Sequence, residues 1–207
     1  MKRKPMLYHK LMEKGRVGAR EVIGLIGTHH GVGVTHTALM LAFHMGENLG
    51  KKTALLECNK HHDMNLIREA YEWSKAETLS FTFRQITCFQ EVTTERIPVI
   101  LGEDYECLIL DFGDDLTTNR DEFLRCTTKI VVGGRSEWDL AKLIQFAKIS
   151  ESLRGSDTLL YYIHQTEDNK AIKISNLINR RVWAVPRMED PTRPSHISYR
   201  FFRQFFH

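Results

Sequence analysis

V-I-G-L-I-G-T-H-H-G-V-G-V-T-H-T-A-L-M-L-A, residues 22 to 42, reads as a buried strand, a Gly-rich turn and a helix. Val22, Ile23, Leu25 and Ile26 form a short apolar run of the kind found in strands covered on both faces. Gly27 to Gly33 supply the turn, and Thr35 opens a helix through Ala38, Leu39, Leu41 and Ala42. Such a turn aims several backbone N–H groups at one spot before a helix N-terminus, which is a phosphate-holding arrangement. Gly46 and Gly50 close the helix, and K-K-T-A-L-L-E-C-N begins a second strand at about Thr53 to Cys58. The strand-helix-strand unit suits a parallel crossover, with its ligand site at the carboxyl ends of the strands.

The rest of the chain continues the alternation. A helix is expected over Asp63 to Lys75, then a β-rich patch, S-F-T-F-R-Q-I-T-C-F-Q-E-V, whose order the sequence leaves open. Val99 to Gly102 and Cys107 to Phe112 are short apolar runs, the second ending in D-F-G-D-D. A helical piece from Asp121 to Cys126 precedes a strand at Lys129 to Gly133. A helix follows at Trp138 to Ile149, with Leu140, Leu143, Ile144 and Ala147 on one face. Leu159 to Gln165 reads as a strand, Ala171 to Asn179 as a helix, and Val182 to Pro186 as a last strand cut off by proline. About six strands separated by helices predict an α/β fold, a doubly wound, mostly parallel sheet with helices on both faces. The expectation is a single domain over residues 1 to 207, with a basic N-terminal extension (1–20) and an amphipathic C-terminal tail (198–207).

The hydrophobic and charged contents, 42% and 27%, are ordinary for a globular protein, and no apolar run is long enough to span a bilayer. The basic N-terminus lacks the apolar stretch and cleavage site of a secretory signal. Cys58, Cys88, Cys107 and Cys126 form no C-x-x-C pair and read as reduced thiols of a cytoplasmic protein. The net charge of +3 is unevenly spread. Seven Lys/Arg face one acid in residues 1 to 20 and six Arg face two acids in 180 to 207, so the middle is acidic. Basic ends suit either solvated termini or an anionic surface. In Y-R-F-F-R-Q-F-F-H, residues 199 to 207, a helix gathers Tyr199, Phe201, Phe202, Phe205 and Phe206 on one side and Arg200, Arg203, Gln204 and His207 on the other. Three readings stay open for this face: docking onto its own domain, a membrane surface, or a partner protein.

A general phosphate loop reads G-x-x-x-x-G-K-[ST]. With Gly33-Val34-Thr35 on its G-K-T, Thr28 falls on the first glycine and Val34 on the lysine. The frame His29-His30-Gly31-Val32-Gly33-Val34-Thr35-His36 resembles the deviant Walker A motif K-G-G-V-G-K-T-T of the MinD/ParA-type P-loop ATPases, matching it at four of eight positions. The resemblance implies a nucleotide site at Gly31, Val32, Gly33, Val34, Thr35 and His36, in which the glycines allow close approach and the amides cradle phosphate. It implies Mg²⁺ held by the Thr35 hydroxyl and by Asp111, which ends Leu108-Ile109-Leu110-Asp111 where the family has its Walker B aspartate. ATP or ADP with Mg²⁺ is the implied cofactor, and a homodimer is an implied assembly.

Three positions depart from the family. His29 replaces the signature lysine that reaches a partner's nucleotide, and Val34 replaces the lysine on the β- and γ-phosphates. Asn59 in Glu57-Cys58-Asn59 replaces the second acid of D-x-D. The family's adenine-reading asparagine falls near His164 or Gln165. Each lost charge-assisted contact weakens phosphate binding by about 1.5–3 kcal/mol, and transition-state charge loses more.

His29, His30, His36, His44, His61 and His62 show neither H-E-x-x-H nor finger spacing and read as loop or surface histidines. A partly protonated His29 or His30 offers a weaker, pH-dependent anion contact. The expected function is a degenerate MinD/ParA-like module, a nucleotide-sensing or nucleotide-independent scaffold in a bacterial positioning or secretion assembly. It is cytoplasmic or peripheral at the membrane and works with a protein partner. The alternative is a slow ATPase that receives its missing charge from a partner or from Arg16, Arg20 or Arg135. Nucleic-acid binding has no readable motif.

Overall fold

The computed structural model describes residues 20–71, 78–153, 155–193 and 195–207. Arg16, the basic extension up to residue 19 and the expected end of the second helix at Lys75 lie outside them. Eight strands form one sheet: β1 (Glu21–Gly27), β2 (Thr53–Glu57), β3 (Ser80–Phe83), β4 (Ile86–Phe89), β5 (Cys107–Asp111), β6 (Thr128–Gly133), β7 (Leu159–Ile163) and β8 (Val182–Ala184). Their order is β3-β4-β2-β5-β1-β6-β7-β8, parallel throughout except where β3 runs antiparallel to β4. The expected doubly wound α/β sheet is present, with eight strands rather than six. The β-rich patch supplies the extra pair as a hairpin, turned at Arg84 in the left-handed region (φ 56°).

Period-two alternation divides the core. Ile23 and Leu25 of β1 face one layer, which contains helix α1 (Val34–Phe43), and Ile26 faces the other. α2 (Asp63–Tyr71) follows β2. The Val99–Gly102 run is not a strand but lies in helix α3 (Ile97–Leu101), because Pro98 in its first turn favours a helical start over a sheet ladder. α4 (Leu116–Arg125), α5 (Glu137–Ser150) and α6 (Asp168–Ile178) contribute Phe123, Leu143 and Ala171 to the second layer. Every residue from Thr37 to Phe43 is buried, and α1 passes into a π turn, His44–Asn48, before the chain reaches Gly50.

The chain closes over α1 with helix α7 (His196–Phe202), which starts earlier than the sequence pattern suggested and is held by a Ser195–Ser198 capping box. The aromatic residues of the helix and the turn after it pack against the protein, with Tyr199 and Phe205 half-buried. Phe202 is fully buried, Phe201 and Phe206 nearly so, and the Phe201 and Phe205 rings lie 5.2 and 5.4 Å from Tyr162. Phe202 and Tyr199 each sit 5.6 Å from His44. The docked arrangement is therefore the one adopted. The reading of Tyr199, Phe201, Phe202, Phe205 and Phe206 as a membrane face is corrected, because burying a Phe side chain stabilises by about 1.5–3 kcal/mol and intramolecular docking already collects that gain. Among the described residues no helix is long and apolar enough to cross a membrane, and all four cysteines are free and buried.

Candidate functional site

β1 lies between β5 and β6, and the turn that follows it sits at the carboxyl ends of all three strands. Gly27 donates its N–H to Gly113 O (2.7 Å) and Thr28 to Val132 O (3.0 Å), pinning the turn to both neighbouring strands. A Cβ on Gly27 would stand 2.7 Å from the side chains of Val32 and Val34, so the turn folds back on its own strand only because that position is glycine. Gly31 and Gly33 take positive φ (75° and 98°), and Gly33 caps α1 without any side-chain bond. The first helical bond runs from Thr37 N–H to Gly33 O, leaving the N–H groups of Val34, Thr35 and His36 outside the ladder. A cavity of about 300 Å³ opens in front of this turn, small for a ligand pocket.

Acidic groups gather behind the helix N-terminus. The Thr35 hydroxyl lies 2.7 Å from Asp111 Oδ2 and 3.2 Å from Asp63 Oδ2, and Asp111 Oδ1 accepts the Gly113 N–H at 2.9 Å. Asp111 is wholly buried. Burial pushes its carboxyl up to about 6, against the Thr35 and Gly113 hydrogen bonds and with help from Glu57 and Asp63. Glu57, also buried, accepts the Met64 N–H (3.0 Å), and burial raises its carboxyl too. This set of hydroxyl and carboxylate oxygens suits a hard cation such as Mg²⁺. Sequence reasoning named Thr35 and Asp111 but missed Asp63. Its cue was an acid in the first turn of the helix after β2.

The three positions at which the sequence departs from the resembled motif each make contacts inside the chain. Val34 is 6% exposed and belongs to the core, so the lysine position carries an apolar packing residue. His29 Nε2 contacts Asp139 Oδ1 at 3.0 Å and its Nδ1 lies 2.9 Å from the Thr28 hydroxyl. Burial and then Lys142 lower its pKa, against Asp139 and Asp114, so at neutral pH the imidazole donates as a neutral group. Asp139 itself completes the Ser136 capping box that starts α5, which ties the turn to that helix. Asn59 donates to Asp111 O (3.1 Å) and accepts the His61 N–H (2.9 Å), bracing two loops rather than facing the cavity.

His164 and Gln165 are drawn to the turn by different routes. The His164 ring fills the space beside Gly33, where a Cβ would approach it to 2.7 Å, and it meets the His36 ring edge-on at 4.8 Å. Burial pushes His164 down to about 4. His36 is lowered by burial as well, with the Met188 backbone and Asp190 opposing. Gln165 donates to Met188 O at 3.2 Å. Among the described residues, no lysine or arginine lines the cavity in front of the turn. Arg20 is bound to the carbonyls of Leu101, the last residue of α3, and Glu103 just beyond it. Arg135 lines a second cavity beside His29, Gly31 and His164, of about 230 Å³.

No protein-family model matches the sequence, and no curated protein matches it either. Solved structures do share its fold. A ParA family ATPase from Chlorobium tepidum TLS aligns over 83% of this chain and 85% of its own, at 16% identity and a TM-score of 0.63. A putative plasmid partition protein from Borrelia burgdorferi B31, solved bound to AMPPNP, covers 87% and 90% at 14% identity and a TM-score of 0.64. The MinD cell division protein of Aquifex aeolicus covers 87% and 86% at 13% identity and a TM-score of 0.64. At such identities the likeness establishes the ParA/MinD-type P-loop fold, and the chemistry rests on this chain's own residues.

Proposed function

We propose that this chain is a ParA/MinD-like module that has given up efficient ATP hydrolysis and works as a scaffold or regulator in a bacterial positioning or secretion assembly. Its altered loop acts there as a nucleotide sensor at most. One observation carries the reading. Val34 is packed in the core, and no lysine or arginine lines the cavity among the described residues. Phosphate in this cavity, on the amides of Gly31 to His36, would meet backbone dipoles but no lysine or arginine among the described lining residues. The developing charge of phosphoryl transfer would go without its largest stabilising contact. The place of action is the cytoplasm or the inner face of the membrane, with a protein partner and a homodimer as the assemblies that fit.

A second reading, a slow ATPase with a partner-supplied charge, is favoured by the Thr35–Asp111 contact and by Asp63 beside it. Thr35, Asp111 and Asp63 would hold Mg²⁺, which would offset negative charge on the phosphates. Calorimetric titration with ATP and ADP, with and without Mg²⁺, on wild type and Thr35→Ala separates the cases. Weak, Mg²⁺-dependent binding lost in Thr35→Ala, with no turnover, is the expected result. No heat under any condition leaves a nucleotide-independent scaffold. Wild-type turnover that Asp111→Ala abolishes overturns the first reading in favour of the second.

A further inference from the structure

Three side chains at the mouth of the same cavity have no part in the reading above. His30 stands on the Gly-rich turn after β1, His61 on the loop after β2 and Asp114 on the loop after β5. One ligating atom from each lies within 4.8 Å of the others, the His30 and His61 rings are 4.4 Å apart, and His61 Nε2 is 3.1 Å from Asp114 Oδ1. We propose that His30, His61 and Asp114 form a binding site for one divalent transition-metal ion of the zinc class.

The donor set carries the choice of metal. Two imidazoles and one carboxylate match zinc and its neighbours, whereas Mg²⁺ and Ca²⁺ take oxygen ligands. Ligands about 2.0–2.2 Å from a tetrahedral ion stand about 3.3–3.6 Å from one another. The His61–Asp114 pair, at 3.1 Å, needs only a small outward shift to reach that spacing, and the exposed His30 ring has to close in. The loops are built to hold His61 in place. Asn59 accepts its N–H while donating to Asp111 O, and Gly113, at φ 59°, lets the ring pass where a Cβ would sit 3.0 Å from Nε2. These contacts fix the loop that carries His61 and the space its ring occupies.

The local field is also cationic in its demand. Asp63 lines the cavity, Asp111 lies behind it, and no lysine or arginine lines it among the described residues. Three protein ligands leave one tetrahedral position open, which the cavity bordered by all three residues can accommodate. The site escaped detection in the sequence because its members are 31 and 53 residues apart. Adjacent parallel strands, in the order β2-β5-β1, bring them together.

The test is Zn²⁺ titration of the full chain in competition with a chromophoric chelator. Wild type should take up one equivalent. His30→Ala, His61→Ala and Asp114→Asn should each lower the affinity by at least about tenfold, while His196→Ala, an exposed histidine on α7, should leave it unchanged. Co²⁺ in place of Zn²⁺ should give visible d–d bands that His61→Ala removes. Thermal melts without metal establish that each variant is folded. The His30 variant carries the test if the His61 variant is not, since His30 is exposed on the turn. Zinc affinity unchanged in His30→Ala, or reduced equally in His196→Ala, overturns the proposal.

Discussion

Replacing Asp111 by Asn should make the protein more stable, and by an amount that depends on pH. The carboxyl is wholly buried, with Glu57 and Asp63 nearby, and its pKa stands at about 6 against an ordinary 3.8. The folded state thus holds this proton to a higher pH than the unfolded chain does. Above pH 6 the fold must keep a carboxylate that it disfavours, and as pH falls through 6 towards 4 that penalty is relieved. The gap is worth about 3 kcal/mol at pH 8 and about 1 kcal/mol at pH 4.5. Asn preserves the geometry, because Oδ1 still accepts the Gly113 N–H and Nδ2 can donate to the Thr35 hydroxyl oxygen. Urea denaturation from pH 4.5 to 8, followed by circular dichroism, should show Asp111→Asn more stable by up to about 3 kcal/mol at pH 8, with the margin shrinking towards pH 4.5. A variant less stable than wild type at pH 8, or a margin that does not change with pH, refutes the reasoning.

Val34→Lys should strengthen binding of inorganic pyrophosphate by about tenfold or more, the worth of one charge-assisted contact, while destabilising the fold because Val34 packs against Gly27. Isothermal titration and a urea melt read the two effects, and unchanged pyrophosphate affinity would show that the amides of the turn do not cradle phosphate. Gly33→Ala should cost about 1–3 kcal/mol for its φ of 98°, plus the displacement of His164. Adding His164→Ala should recover only the second part, and full recovery would rule out backbone strain. Phe202→Ala should cost about 3–5 kcal/mol as a fully buried ring, and a loss under 1 kcal/mol in the same melt would mean that α7 is not docked in solution.

The sheet and its ligand-bearing end were legible because parallel strands buried on both faces must be continuous apolar runs, and β1, β2, β5, β6 and β7 all are. Short elements were harder to read. Val99 to Leu101 could equally be strand or helix by composition, and the structure makes it a helix with Pro98 in its first turn. The β3–β4 hairpin turns at a non-glycine residue with positive φ, Arg84, and so carries none of the Asn-Gly signals a reader looks for. In the site, Thr35 and Asp111 were visible because each belongs to a local pattern. Asp63 and Asp139 were not, because they act across 28 and 110 residues of sequence on Thr35 and His29, and His164, brought near the loop by the resemblance alone, packs on Gly33 from 131 residues away. The tail's amphipathic pattern was read correctly, but pattern alone does not say which apolar surface answers it. Tyr162, Trp183 and His44 do.

The cation missing from the described cavity lining and the acids gathered behind it point in opposite directions. A phosphate cradle without lysine would be expected to shed its acidic neighbours, since buried carboxylates repel the anion that the amides attract. Here Asp111 stays at a stability cost, Asp63 reaches the same hydroxyl, and Glu57 is buried close by. Had the turn become mere architecture, an amide side chain at 111 would serve the Gly113 and Thr35 contacts with less penalty. On the proposed function, such a site would take up cations first. An anion on the turn would become favourable only once those cations were in place, so that phosphate occupancy would report metal and nucleotide together, which suits sensing more than turnover.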